Sequence, residues 1–182
     1  MTDDPVVHPI LASRWSPVSF DAAHVVTDEQ VELLMEAARW APSAGNSQPW
    51  AFITGRRGDE AHGRMLRYLA GSSRRWVPTA SLLVINLCHR FVESTDWDYS
   101  DFAHYDLGQA VARMTIQAQS MGVSSRQFRA FDQAGLAGEF HVGHDWEVTT
   151  MTAFGAPAAD VDNRGARTRR SRESLKWPTP SS

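Results

Sequence analysis

A mixed chain of helices and only three or four strands is what this sequence predicts, and three observations carry the prediction. Apolar residues recur at helical spacing in two stretches, 27–40 and 102–121. Short apolar or β-branched runs lie between and after them, bounded by glycine, proline or polar loops. The resulting order, helix, strand, helix, strand, long helix, helix, strand and polar tail, interleaves the two kinds of element. A chain of 182 residues suits one domain, or one domain with a tail. Folding at that size buries roughly 70% of the unfolded surface.

The elements follow in order. His8–Arg14 reads as a short helix, with Pro9 tolerated in its first turn. Thr27 and Gln30 fit a capping box, and Val31, Leu34, Met35 and Ala38 then fall at i, i+3, i+4 and i+7. This helix should stop near Trp40, because Pro42 disfavours helical geometry at Ala41. Pro42–Pro49 is a loop of small and amide residues. Trp50–Thr54 is a strand that ends at Gly55, Glu60–Ala70 is helical, and Leu82–Cys88 is a buried strand. Phe91–Ser100 is an aromatic, acidic loop. From Phe102 to Met121, the residues Leu107, Val111, Met114, Ala118 and Met121 make one stripe along a long helix, and Gly122 ends it. A helix near Asp132–Phe140 and a strand near Glu147–Phe154 complete the set. Asp160–Ser182 has little to bury and holds Arg164, Arg167, Arg169, Arg170 and Arg172.

Composition excludes several classes. Eighteen basic against 21 acidic residues give a formal charge of −3, so no global positive field draws nucleic acid. A lone cysteine, Cys88, rules out a disulfide framework and a cysteine zinc site. The longest strongly apolar run, Leu82–Ile85, is far short of the ~20 residues of a membrane span. Met1–Pro9 is acidic and broken by proline, unlike a signal peptide, so a cytoplasmic setting is expected.

No G-x-G-x-x-G and no phosphate-binding G-x-x-x-x-G-K-[ST] is present. Ala41-Pro42-Ser43-Ala44-Gly45 mimics a nucleophile elbow, but an elbow needs strand–Ser–helix and here the order is reversed. Ser43 therefore reads as a structural or ligand-binding residue. His141-x-x-His144-Asp145 reads as a solvated turn, since no third ligand is near. Asp106, early in the long helix, is explained by the helix dipole. Arg14-Trp15-Ser16 gathers a cation, a hydroxyl and backbone N–H groups suited to an anion. The C-terminal arginines read as a solvated tail, a nucleic-acid arm, or phosphate ligands by one or two of them.

Taken together, Arg14-x-Ser16 with Phe20, and then Ala41-Pro42-Ser43-Ala44-Gly45-Asn46-Ser47-Gln48-Pro49-Trp50, resemble the opening of the FMN-dependent nitroreductase family, which reads R-x-S-x-[RK]-x-F and then A-P-S-x-x-N-x-Q-P-W. Tyr105-Asp106-Leu107-Gly108, Phe131-Asp132, Val148–Gly155 with Pro157, and Arg167-x-Arg169 before Glu173–Trp177 follow in the family's order, so the resemblance spans about residues 8–177. It implies an α+β fold around a central mixed or antiparallel sheet flanked by helices. It also implies a homodimer in which residues 1–159 form one FMN-binding domain and the arm 160–182 crosses to the partner. The stripe Leu107–Met121 and the tail would both find apolar surface on another chain.

The resemblance assigns the cofactor-binding residues one by one. Arg14, Trp15 and Ser16 match positions that meet the FMN ribityl chain and phosphate, with Arg167 and Arg169 closing on the phosphate. Pro42, Ser43, Ala44 and Asn46 match the loop that packs on the isoalloxazine, contributed by the partner subunit. Arg129 and Ala130 match the pair facing flavin N5, and Ser73 falls where relatives have an Asn at the pyrimidine end. No protein catalytic residue and no metal is implied; the chemistry is the flavin's. The implied reaction takes hydride from NAD(P)H and passes it, by ping-pong turnover, to a nitroaromatic or quinone-like acceptor. The rival readings are a same-fold dehydrogenase, dehalogenase or flavin-degrading enzyme, and a non-enzymatic flavin carrier. Val18 departs from the family, which usually has Arg or Lys there; the expectation is that it lies beside the FMN phosphate. Ser171 replaces a usual proline in the arm. The segment Phe91–Ser100 is short compared with the helical lid of larger members, and around 91–102 Trp97, Tyr99 and Phe102 read either as stacking surfaces of the substrate pocket or as interface core.

Overall fold

The structure is a computed structural model that describes residues 7–159 and 168–178. Its helices are α1 (Pro9–Ser13), α2 (Asp28–Arg39), α3 (Glu60–Arg67), α4 (Gly71–Arg74), α5 (Ala103–Ser120) and α6 (Gln133–Glu139). Its strands are β1 (Trp50–Arg56), β2 (Leu82–His89), β3 (Ser124–Phe128) and β4 (Trp146–Gly155). The strands form one sheet in the order β1-β2-β4-β3, with every pair antiparallel. The fold is α+β, as the sequence predicts.

The local signals act as read. The Thr27 hydroxyl accepts from the Gln30 N–H while the Gln30 side chain accepts from the Thr27 N–H, closing the capping box of α2. Gly122 leaves α5 at φ 73°, a conformation that favours glycine. β2 is apolar apart from Asn86 and the terminal His89 because both its faces are covered, and the buried Asn86 amide donates to the hydroxyls of Thr150 and Thr152. Leu82 and Val84 point toward α2 and α5, where Leu34, Ala38, Met114 and Ala118 meet them. Leu83 and Ile85 point the other way, onto Met65, Trp76, Leu136, Met151 and Ala153. Each such side chain contributes roughly 1.5–3 kcal/mol through burial.

Two expectations change. The stripe Leu107, Val111, Met114 and Ala118 is buried within its own chain, against α2 and the sheet, and Met121 is half-buried there. It therefore does not call for a partner. The exposed face of α5 is a different one, carrying Tyr105, Gly108, Ala112 and Ile116. The second change is β3, which the residue-by-residue reading leaves unassigned because Ser-Ser-Arg-Gln lacks β-type patterning. It forms because Arg126, Gln127 and Phe128 pair with Ala153, Thr152 and Met151 in the buried half of β4. Among the described residues, no helix is long and apolar enough to cross a membrane.

Candidate functional site: two cavities along an edge strand

β3 is an edge strand, so one of its sides has no strand beside it among the described residues. Successive side chains of a strand point to opposite faces, and here the two faces open onto two cavities. Ser125 and Gln127 line the first, a space of about 410 Å³ closed by Ala112 and Thr115 of α5 and by Arg14 and Ser16 after α1. Arg126 and Phe128 line the second, of about 350 Å³, together with Val18, Ser73, Trp76 and Ala130. Ser72 and Arg75 complete its rim. Both volumes lie in the range of small-molecule sites.

The first cavity is polar. Arg14 donates to the Ser16 hydroxyl at 3.3 Å. Thr115 spends its proton on the Ala112 carbonyl at 2.8 Å, which leaves its oxygen to accept. A guanidinium, three hydroxyls and an amide around one space suit a phosphate with a polyhydroxy chain. The second cavity is flatter and more aromatic. Trp76 meets Phe128 edge-on at 5.0 Å between centroids, and the Arg126 guanidinium lies over Trp76 at 4.4 Å. Neither cavity is lined by a carboxylate.

The loop after α2 is held at the other end of α5. Asp106, buried in the first turn of that helix, accepts from the Ala44 N–H at 2.9 Å. Asp106 stands in the first turn of α5, where the helix dipole favours an acidic residue, and its oxygen also anchors the loop. The Ser43 hydroxyl accepts from the Gln48 N–H at 2.9 Å, and no histidine bonds it among the described residues, so no hydrolytic pair is assembled. Gly45, Asn46 and Gln48 all have positive φ, between 50° and 59°. For the two non-glycines this is a strained conformation, of the sort that clusters where backbone approaches a ligand.

The site residues named from the sequence are thus sorted. Arg14 and Ser16 share the first cavity, and Trp15 is half-buried outside its lining. Ser73 and Ala130 share the second. Arg129 parts from Ala130: it lines a third cavity of about 520 Å³ with Phe131, Gln133 and Trp146, and it donates to the Thr149 carbonyl at 3.1 Å. Alternation along an extended chain separates the two neighbours. Pro42, Ser43, Ala44 and Asn46 line neither of the first two cavities of their own chain. The anchor at Asp106 lies nine residues from Thr115, about 13 Å along the helix. Arg169 is exposed, and Arg167 lies outside the described residues. Val18 is 42% exposed and lines the second cavity with Ser73, not the first with Arg14 and Ser16, contrary to its expected place beside them.

Sequence reasoning missed Thr115, Ser125, Arg126 and Gln127. The available signals were a threonine on the buried face of α5 and a polar run where a strand was needed. Trp97, Tyr99 and Phe102 line none of the four described cavities. Tyr99 stacks on His89 at 3.9 Å, and Trp146 stacks on the same imidazole at 4.6 Å. Trp97 is 77% exposed. His144 pairs with Asp96 at 3.7 Å in a solvated turn, and no group of three or more metal-ligating side chains occurs among the described residues.

Residues 11–82 match the sequence model of the Nitroreductase family. A protein of Streptomyces coelicolor, provisionally named NADH dehydrogenase/NAD(P)H nitroreductase, is 26% identical over 151 residues, 73% of this chain and 74% of that one. Among solved structures, a provisionally named nitroreductase of Desulfovibrio desulfuricans in complex with FMN superposes with a TM-score of 0.77 at 24% identity, covering 97% of this chain and 100% of that one. A provisionally named NAD(P)H:FMN oxidoreductase of Staphylococcus epidermidis gives 0.78 at 18%, covering 98% and 100%.

Proposed function

We propose that this chain, which has the nitroreductase fold and matches the Nitroreductase family over residues 11–82, is an FMN oxidoreductase that takes its electrons from NAD(P)H. The observation that carries the reading is the pair of cavities on the two faces of β3. One is lined by Arg14, Ser16, Thr115, Ser125 and Gln127, a donor set suited to a phosphate and polyol. The other offers Trp76 and Phe128 beside the polar Ser73 and Arg126, which suits the pyrimidine end of a flat heterocycle. The residues present therefore fit FMN, and its ordinary chemistry there is to accept hydride from the nicotinamide and return it to an electron-poor acceptor of the nitroaromatic or quinone class.

The chain's own residues bind and orient. Arg14 and Ser16 hold the phosphate end, while Ser73 hydrogen-bonds the pyrimidine edge. The strained loop at Gly45–Gln48, pinned by Asp106, offers its backbone to the ring of the partner subunit. Homodimerisation accounts for three features. The loop and the first cavity sit at different points along α5, which a two-fold pairing of α5 with its mate brings together. Tyr105, Gly108, Ala112 and Ile116 leave that helix face uncovered, and Leu175 and Trp177 of the C-terminal arm are 67% and 92% exposed. In this reading the C-terminal arm, of which residues 168–178 are described and the rest of 160–182 lies outside the described residues, covers apolar surface on the mate.

The purified protein should be yellow and hold about one FMN per chain, released intact on denaturation. It should consume NAD(P)H steadily when an acceptor is added, and Ser43→Ala should keep most of that turnover. A colourless protein that cannot be reconstituted with FMN would end the proposal. Bound flavin without NAD(P)H consumption would leave a carrier, and consumption confined to other acceptor classes would move the chain to a sister chemistry.

A further inference from the structure

We infer that Arg126, from strand β3, supplies the positive charge at the pyrimidine end of the flavin that Val18 cannot supply. The inference rests on the reading that the two cavities hold FMN. Val18 lines this cavity from a position where the resembling family carries Arg or Lys, so that segment brings no cation into it. Arg126 lines the same cavity from β3. Its Nη1 donates to the carbonyl of Pro17, the residue next to Val18, at 3.1 Å, and its Cζ stands 4.4 Å from the centre of the Trp76 ring.

These two contacts hold the group in place and leave most of its five N–H donors unspent. No carboxylate pairs with Arg126 among the described residues, and none of them lines the cavity, so no described residue neutralises its charge. Arg75 also reaches this cavity, but it is exposed at the rim and carries no such contacts. A fixed cation beside the pyrimidine edge favours the form of the flavin that bears negative charge there, which is the reduced one. Because guanidinium does not titrate, that preference is present across the working pH range. Arg126 is thus a tuning residue: it selects between redox forms rather than fixing the cofactor in the site.

The test measures the two-electron midpoint potential of the FMN-loaded protein and, separately, FMN affinity. Wild type that takes no FMN would defeat the functional reading itself, before any variant is made. In a loaded protein, Arg126→Gln should lower the preference for reduced over oxidised flavin at least tenfold, which is ~30 mV for two electrons. Oxidised FMN should bind within about threefold of wild type, a change below about 0.7 kcal/mol. Arg126→Lys should retain most of the preference, Val18→Lys/Arg126→Gln should regain it, and Arg75→Gln should lower it less than Arg126→Gln does. A loaded Arg126→Gln with an unaltered potential would overturn the inference, as would a larger drop in Arg75→Gln. If Arg126→Gln does not fold, the double variant decides. Folded and loaded with a potential near wild type, it supports the relocation of the charge; unfolded, or low in potential, it refutes it.

Discussion

Replacing Asp106 separates two accounts of a buried carboxylate. Its side chain is only 2% exposed, and it accepts from the Ala44 N–H at 2.9 Å and from the Gln109 amide at 3.5 Å. A hydrogen bond to a charged group contributes roughly 1.5–3 kcal/mol, and Asp106→Ala also leaves the Ala44 N–H without its acceptor. For 150–250 residues, each kcal/mol moves the melting temperature by about 2–4 °C, so the expected loss is about 3–12 °C. Asp106→Asn keeps an oxygen opposite Ala44 and loses the charge, so it should cost about half as much. Were the carboxylate acting only on the helix dipole, both variants would cost the same roughly 0.3–1 kcal/mol. Urea unfolding gives the totals, and hydrogen exchange at the Ala44 amide gives the local effect. Equal losses in the two variants, or unchanged protection of Ala44 in Asp106→Ala, would refute the anchoring role.

His62 is buried on α3, and burial, helped by the nearby Arg57 charge, holds its imidazole below the ordinary 6.5. The unfolded chain then binds the proton more readily than the folded one, so His62 lowers stability as pH falls from about 6.5 toward the depressed folded value. A series of urea midpoints between pH 7.5 and 5, compared with His62→Gln, should show the variant losing less stability over that interval. Gly55 tests the contact beneath the same residue. A Cβ there would sit 2.7 Å from the His62 nitrogen and 2.9 Å from its Cα, so Gly55→Ala should cost about 1–3 kcal/mol, whereas Gly63→Ala, with nothing within 4 Å, should gain up to about 1 kcal/mol. Matching melting temperatures for the two variants would show that α3 yields to β1 without strain.

Periodicity made most of the fold legible. The capping box at Thr27 and Gln30, the stripe from Leu107 to Ala118 and the apolar run Leu82–Cys88 each became the element they predicted. β3 was not legible from its own pattern, because apart from Phe128, which packs on the core, its residues are polar and line cavities, and its pairing is set by β4. The site was legible where a motif is contiguous. Arg14 and Ser16 are two residues apart and share a cavity, whereas Ser73 and Ala130 meet only because α4 and the end of β3 fold together. Position 18 shows the limit of motif reading. Its distance along the chain from Ser16 suggested one neighbourhood, but the turn into Phe20 takes it to another.

The two-faced character of β3 makes the length of the turn before it as important as any side chain. Deleting one residue between Met121 and Val123, with the strand still paired to β4, would rotate Ser125 and Gln127 to the aromatic side and Arg126 and Phe128 to the polar side. Composition would hardly change, yet each compartment would acquire the other's chemistry. Substitution can therefore adjust either compartment alone along this strand, while insertion or deletion acts on both at once. Libraries meant to alter either cavity should vary side chains on β3 and leave the spacing from Gly122 untouched.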